Sequence, residues 1–277
     1  MALALLALCA ICFISVGVVR FYPYEAAYPR FPRVTHTRSG APGDPINLIV
    51  VGARRDVSSA FQRAGWLTPD PITPQTSAHI AAASLAHQSY PTAPVSDLYV
   101  FGRPQDLAFE KPTNDVQYRD HIRLWQTDQS LDGAPIWVAQ ASYDAGIELG
   151  STNGFPTHHI APAIDRERET VGASLQKTGA VTQSAVVMYA PPIFYARNGG
   201  GDFYESDGAA LVINLTPGYL SVPPQPWVIG GLRASMFLIY DAVVSAGAPL
   251  VIIVTLVAVL VLAFAIYRGA TRTRNTA

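Results

Sequence analysis

The segment from Thr157 to Glu169 carries two histidines, two arginines and three acidic residues, the densest such stretch of the chain. Pro162 and the acidic residues after it predict a loop that leads into a helix. The apolar positions on the buried face of this helix are Ile164, Val171 and Leu175. Asp165 either caps the helix or binds a ligand. Because neighbouring residues of an extended segment face opposite sides, we expect only one of His158 and His159 to face a site.

A second chemical pair lies in a strand-like segment, where His121 and Arg123 are two residues apart and therefore share one face. Arginine offers a fork of donors to an anion, and histidine adds a donor that switches with pH. The alternative is an exposed strand face, with Arg119 and Asp120 as the partners in salt bridges.

The third candidate is a glycine-rich run that lets backbone N–H groups approach a ligand closely. It consists of Arg197, Asn198, Gly199, Gly200, Gly201 and Asp202. The run lacks the Lys-Ser/Thr ending of a P-loop, and a flexible polar loop is the alternative interpretation. Asp202 could also join Asp165 and one histidine around a divalent metal ion through nitrogen and oxygen ligands.

The elements around these residues predict an α+β fold, a mostly antiparallel sheet with helices on one face. Strands of alternating or buried pattern are expected at 46–51, 98–101, 106–110, 121–126, 136–143, 185–189 and 209–213. Helices are expected at 56–64, at 75–87 and after Asp165. Asp132 and Gly133 have the residue types of a tight hairpin turn.

Apolar runs flank this domain on both sides. Residues 2–19 and 247–267 contain no charged residue, and the second run is long enough to cross a bilayer as a helix. We therefore expect one transmembrane helix at each end of the domain. The organisation is a transmembrane anchor at 1–20, a proline-rich linker at 21–43, the domain at 44–213, a membrane approach at 214–246, a transmembrane helix at 247–267 and a basic tail at 268–277.

Charge and cysteine content narrow the classes of function. Between Ser39 and Leu232, 18 acidic residues outnumber 11 basic ones, so nucleic acid is not an expected partner. Both cysteines, Cys9 and Cys12, lie in the first apolar run, so the domain has no disulfide. The apolar runs make membrane lipids the expected partners. Arginines flank both apolar runs; we expect the domain to face outward, although these charges leave the orientation open.

Five segments carry a resemblance to a known family. They are Gly43–Asn47, Ala93–Ser96, Phe101–Glu110, Thr157–Ile160 and Arg197–Asp202. Taken in order from Asp44 to Ile213, they are similar to the LssY C-terminal domain family of bacteria. That family's strand usually reads His-His-Val-Arg-Phe-Trp, whereas this chain has Asp120 at the first position. The resemblance implies a membrane-associated domain with no activity to carry over. Fusions of the family to DedA-type membrane segments and phosphatidic acid phosphatase domains imply, by association, a lipid or envelope setting at the bacterial inner or plasma membrane. The resemblance alone makes other envelope proteins expected partners.

Three hypotheses follow, and the sequence leaves open whether the chain is an enzyme. In the first, the domain binds an anionic, phosphate-bearing ligand through Arg123 and Arg197 without turning it over. In the second, it is a metal-dependent hydrolase of a phosphorylated lipid or envelope precursor, with a histidine as base or ligand. In the third, it is a structural module that assists a transporter.

Overall fold

The computed structural model describes residues 14, 17–19, 22, 30–149, 156–216 and 229–237. The chain forms two compact units, one of Met1–Tyr22 with Pro226–Ala277 and the other of Pro23–Gln225. A short helical stretch at 229–237 belongs to the first unit. Everything described below lies in the second unit.

Thirteen strands and three helices of this unit are described. The strands are β1 (Val34–His36), β2 (Pro42–Pro45), β3 (Leu48–Val51), β4 (Tyr99–Val100), β5 (Arg103–Pro104), β6 (Leu107–Lys111), β7 (Tyr118–Leu131), β8 (Ala134–Leu149), β9 (Pro156–Ile160), β10 (Gln183–Met188), β11 (Ile193–Arg197), β12 (Phe203–Ser206) and β13 (Ala209–Asn214). The helices are α1 (Arg54–Arg63), α2 (Pro74–Leu85) and α3 (Ile164–Gln176).

The main sheet has seven strands in the order β10-β13-β3-β8-β7-β6, with β9 paired to the last part of β8. Only the β13–β3 pair among the described strands is parallel, so the expected antiparallel character is confirmed. The long strands β7 and β8 meet at Asp132 and Gly133, both of which have positive φ angles. This is the tight hairpin turn that the sequence predicts.

Helices α1 and α3 cover one face of the main sheet. Phe61 of α1 and Leu175 of α3 are fully buried there against Ile122 and Leu124 of β7. The opposite face buries Trp125 with Ile49 and Val138, among other residues. The alternation predicted for β7 is therefore correct. Helix α2 does not contribute to these two core clusters. It buries little more than Ala83, which belongs to a small separate cluster.

One segment expected to be irregular forms strands. Residues 34–36 and 42–43, placed in the proline-rich linker, belong to β1 and β2 of a four-stranded sheet with the order β2-β1-β4-β5. These strands pair over a short local connection, and they have no hydrophobic periodicity that would reveal them. The glycine-rich run, for which a flexible polar loop was the alternative interpretation, is the loop that joins the two strands of the β11–β12 hairpin.

The expected transmembrane helices fall on residues almost wholly outside those that the structure describes, as do the basic tail and most of the 214–246 approach. Among the described residues, no helix combines the length and the apolar character needed to cross a membrane.

Candidate functional site

A ladder of polar side chains occupies one face of β7 and β8 at the end away from their hairpin turn. Cross-strand partners on this face interact directly. They are Arg119 with Asp144, His121 with Ser142, and Arg123 with Gln140. All six side chains are buried, although an exposed face was the alternative that the sequence left open for β7. Buried polar groups of this kind must satisfy one another, and they do so through one continuous network.

Arg119 anchors one end of this network. Its guanidinium donates to Glu110 Oε2 at 2.6 Å and to Asp144 Oδ2 at 3.1 Å. Two further bonds, of 3.0 Å each, reach the backbone carbonyls of Ala93 and Pro94. Burial raises the pKa of Glu110 to about 8, against the opposing effect of Arg119. Arg119 therefore ties β6, β7, β8 and the loop at 93–94 together.

The tautomer of His121 follows from its neighbours. Its Nδ1 lies 3.1 Å from Arg123 Nη1, which can only donate, so Nδ1 accepts. Its Nε2 therefore carries the hydrogen and donates to Asp144 Oδ1 at 2.7 Å. Burial lowers the pKa of His121 to about 4, with the nearby arginines acting in the same direction and Asp144 opposing them. His121 is thus neutral at pH 7, and both of its ring nitrogens are hydrogen-bonded within the network.

Arg123, expected to hold a phosphate, is also committed internally. It donates from Nε to the Ser96 carbonyl at 2.8 Å and from Nη1 to Gln140 Oε1 at 2.9 Å. Burial lowers the pKa of Arg123 to about 10, which still leaves it charged at neutral pH. A phosphate would have to replace these partners in a site where only 5% of the residue is exposed.

The network continues through Asp44 to the glycine-rich run. Gln140 donates to Asp44 Oδ2 at 3.3 Å, and Asn198 Nδ2 donates to Asp44 Oδ1 at 3.0 Å and to Asp202 Oδ2 at 3.2 Å. Burial raises the pKa of Asp44. Asn198 thereby joins two carboxyl groups that are far apart in the sequence.

The glycine run is held in place. Asn198 Oδ1 accepts from the backbone N–H groups of Gly200 at 3.0 Å and Asp202 at 2.9 Å. A Cβ on Gly199 would lie 2.8 Å from a methyl carbon of Thr37 and 3.0 Å from the carbonyl oxygen of Pro42. Gly199 is required because the run packs closely on β1 and β2. The exposed Arg197 donates to the Gly201 carbonyl at 2.6 Å, within the same run.

His159 and Asp202 form a dyad at the most exposed end of the network. Asp202 Oδ1 contacts His159 Nδ1, and Asp202 Oδ2 accepts from the Ile160 N–H at 3.4 Å. The His159 side chain is 29% exposed, against 6% for Asp202. A carboxylate that contacts Nδ1 in this way fixes the orientation of the imidazole, and the Nε2 atom itself is buried. His158 lies in β9 opposite Ile147.

Asp165 belongs to a different cluster and does not cap α3, whose N-cap position is Ala163. Asp165 accepts from Ser206 Oγ at 2.9 Å and from the Asp207 N–H at 2.5 Å. Arg168 bridges Asp165 and Asp207, at 3.2 and 2.8 Å. Burial and the nearby Asp207 raise the pKa of Asp165 to about 6. This cluster fixes the start of α3 to the turn between β12 and β13.

The proposed metal set of Asp165, Asp202 and a histidine is therefore only partly assembled, since His159 meets Asp202 while Asp165 is bound elsewhere. Across the described part of the chain, no group of three or more histidine, cysteine or acidic side chains is arranged to hold a metal ion.

A basic cleft of about 390 Å³ lies on the helix-covered side of the domain. Its lining combines cationic side chains, hydroxyl groups and two alanines. The residues are Arg63, Ala64, Lys111, Thr170, Ala173, Ser174, Lys177 and Thr178. No carboxylate is among these described lining residues. Lys111 and Lys177 are the only two lysines of the 277-residue chain.

Trp66 contacts two of the residues that line this basic cleft. The Lys111 ammonium lies 5.9 Å from the centroid of the Trp66 ring, within range of a cation–π interaction. Trp66 Nε1 donates to Ser174 Oγ at 3.0 Å, and Ser174 in turn donates to the Val171 carbonyl at 2.9 Å. One buried indole thus fixes both a cation and a hydroxyl group of the lining.

Comparison with known families identifies the chain. The family model described as LssY C-terminus matches residues 28–210, well over half of the chain. The chain belongs to the LssY C-terminus family. The match begins ahead of β1 and ends within β13, so it takes in the residues of the linker that form strands. Searches of curated proteins and of solved structures returned no match.

The five segments that carry the LssY resemblance all meet in the buried network. Asp44 comes from the first, and the carbonyls of Ala93 and Ser96 from the second. Glu110 ends the third. The fourth and fifth supply His159 and Asp202. The LssY motifs in this chain therefore build one internal polar assembly, with only its His159 end partly exposed.

Sequence reasoning missed the basic cleft of this LssY domain. Its cations come from the end of α1, the end of β6 and the residue after α3, and each alone is an ordinary surface charge. Basic residues near the end of a helix also suit the helix dipole, so Arg63 and Lys177 attract no notice. The one available signal was that a chain rich in arginine has just two lysines.

Proposed function

We propose that this chain is a membrane-anchored bacterial envelope protein whose folded domain binds an anionic, phosphate-bearing ligand in the basic cleft. The observation that carries the proposal is that Arg63 and both lysines of the chain line one cleft with three hydroxyl side chains. Ammonium and guanidinium groups are the usual protein ligands of phosphate. Of the three hydroxyl groups, those of Ser174 and Thr178 already donate to the carbonyls of Val171 and Leu175, so the three cations carry the proposal. Membrane anchoring is supported by the two charge-free runs, 2–19 and 247–267.

Location on the surface favours the basic cleft over the arginines proposed from the sequence. Arg63 and Lys177 are exposed, whereas Arg123 is buried with its guanidinium already bonded. Arg197 is also exposed, but it donates to the Gly201 carbonyl within its own loop and does not belong to the cationic lining of the cleft. The domain as a whole is acidic and repels anions at long range. An anion-binding site in this domain therefore requires several cationic side chains close together.

Phosphate titration of the full-length protein tests the proposal. We expect Lys177→Gln and Arg63→Gln each to weaken binding of inorganic phosphate about tenfold, because a charge-assisted hydrogen bond is lost. Arg55→Gln is the matched control, since Arg55 is an exposed arginine of the same helix outside the lining. Unchanged phosphate affinity in Lys177→Gln would refute the assignment.

The two lysines also permit a test without mutation. Acetylation by an N-hydroxysuccinimide ester, read by mass spectrometry, reports on Lys111 and Lys177 separately. We expect phosphate to slow acetylation of both lysines relative to sodium chloride at the same ionic strength. Equal acetylation rates in the two salts would contradict binding in the basic cleft.

A hydrolase acting on a phosphorylated lipid or envelope precursor is the second candidate, and the His159–Asp202 dyad favours it. Asp202 would orient the imidazole, and His159 would act as general base toward water. In a metal-dependent form of this candidate, His159 and Asp202 would instead be two ligands of a divalent ion, which would activate the water. The test is turnover of a phosphate ester by the purified protein beside its metal content. His159→Gln should abolish turnover while phosphate binding in the basic cleft persists; turnover that survives His159→Gln would refute this candidate.

A further inference from the structure

Two carboxyl groups lie next to the basic cleft. Glu167 precedes Thr170 and Ser174 by three and seven residues on α3, so all three share one stripe of the helix. Asp120 of β7 is the register partner of Lys111 on β6. Both acids therefore adjoin residues that line the basic cleft, one along the helix and the other across the sheet.

The two carboxyl groups lie close enough to interact, and each affects the pKa of the other. Glu167 is only 4% exposed, and its Oε1 is buried with no hydrogen-bond partner among the described residues. Burial and the adjacent Asp120 raise the pKa of Glu167 to about 9, while Lys111 opposes them. Burial also raises the pKa of Asp120. Glu167 thus holds a proton at neutral pH beside Asp120.

The other charged and titratable groups that face this acid pair come from the sheet. Lys111 lies on β6, and Tyr143 and Asp144 on β8. Asp144 is already paired with Arg119 on the opposite face. With one shared proton, the acid pair carries a single negative charge, which Lys111 balances. The basic cleft then keeps two uncompensated positive charges, those of Arg63 and Lys177.

We propose that the Asp120–Glu167 pair sets the charge selectivity of the basic cleft, so that the cleft prefers a dianion, such as a phosphomonoester, while the pair holds its proton. This inference rests on the proposed function and specifies its ligand class. Loss of the proton would leave one uncompensated positive charge and weaken dianion binding. Glu167 is then a specificity-determining residue that acts through the charge of the pair.

Sulfate is the suitable probe because it remains a dianion between pH 7.0 and 9.5. Phosphate esters also keep their charge over this range, whereas inorganic phosphate changes its charge near pH 7. Coulomb's law gives roughly a fivefold change in the affinity for a dianion when one charge is added about 8 Å from it in water, and this sets the order of magnitude expected for Glu167. Calorimetric titration of the full-length protein should therefore show sulfate affinity falling about fivefold from pH 7.0 to 9.5. Dimethyl phosphate, a monoanion, should bind more weakly than sulfate at pH 7.0.

Three variants isolate the acid pair. Glu167→Gln keeps the shape of a protonated carboxyl and should remove the decline, apart from the part caused by lysine titration. Asp120→Asn removes one cause of the raised pKa of Glu167, so the decline in sulfate affinity should shift to lower pH; this half-buried position provides a second reading should Glu167→Gln fail to fold. Glu169→Gln, at an exposed acid of the same helix, should keep the wild-type profile.

Coinciding pH profiles of wild type and Glu167→Gln, or of wild type and Asp120→Asn, would overturn the inference. So would equal affinities for sulfate and dimethyl phosphate at pH 7.0. If sulfate binding still depends on Lys177 in these cases, the proposed function survives and only the selectivity fails. If the wild type binds no sulfate at all, both are overturned.

Discussion

His121→Gln gives the sharpest test of the buried network. Glutamine can donate and accept one hydrogen bond each, as the neutral imidazole does, but it cannot be protonated. At pH 7.5 we expect a loss of about 1–3 kcal/mol in the free energy of unfolding, because the bonds to Asp144 and Arg123 are remade imperfectly. The informative quantity is how this difference changes with pH.

The direction follows from the depressed pKa of His121. The folded state holds the imidazole neutral down to about pH 4, whereas the unfolded chain protonates it near its ordinary value of 6.5. Below pH 6.5 the unfolded state binds more protons, so the stability that neutral His121 supports is present above that pH and is lost as the pH falls toward 4. The pKa difference corresponds to a loss of about 2 kcal/mol by pH 5 and about 3 kcal/mol by pH 4.

Chemical denaturation followed by tryptophan fluorescence measures this loss, since Trp66, Trp125 and Trp137 are fully buried. The wild type should lose about 2 kcal/mol relative to His121→Gln between pH 7.5 and 5. Carboxyl groups that titrate in the same range are common to both proteins and cancel in the difference. His36→Gln, at an exposed position of β1, should follow the wild type. A constant difference between wild type and His121→Gln at all pH values would refute the neutral, internally bonded histidine.

Other consequences are accessible to the same denaturation assay. Gly199→Ala should cost about 1–3 kcal/mol because its Cβ has no room against β1 and β2, while Gly200→Ala, where the nearest atom is 3.2 Å away, should cost less. Arg168→Met should cost about 3 kcal/mol, because it leaves the two aspartates that Arg168 bridges without their cation. Trp66→Phe should cost about 1 kcal/mol for the lost bond to a serine, and it should speed acetylation of Lys111 by weakening the cation–π contact. Unchanged denaturation midpoints in Gly199→Ala and Arg168→Met, or an unchanged acetylation rate in Trp66→Phe, would contradict these assignments.

Features set by residues close together in sequence were predictable. The two faces of β7 follow from the alternation of Ile122 and Leu124 with His121 and Arg123. Because successive side chains of a strand point to opposite faces, the sequence alone assigns each of these residues to one face of the sheet. The hairpin turn follows from a single residue pair that tolerates positive φ angles. In such cases the local pattern and the tertiary structure agree.

Features set by contacts between distant segments were not predictable. Asn198 meets Asp44 across more than 150 residues, and nothing near either residue in the sequence announces the contact. The same applies to Gly199 against Thr37. Asp165 shows the opposite error: its position suits a helix cap, but Ser206, at the end of β12, is its partner instead. A local preference worth about 1 kcal/mol is easily overridden by such contacts.

The strands β6 and β7 connect the buried network with the basic cleft. On β6, Glu110 bonds to Arg119 in the network while the next residue, Lys111, lines the basic cleft. On β7, Asp120 faces Glu167 while the next residue, His121, faces Asp144. Because neighbouring residues of a strand point to opposite faces, the bonds that fix one side also fix the backbone positions of the other. A network with no binding role of its own would thus hold Lys111 and Asp120 at a constant separation, which the proposed charge selectivity requires.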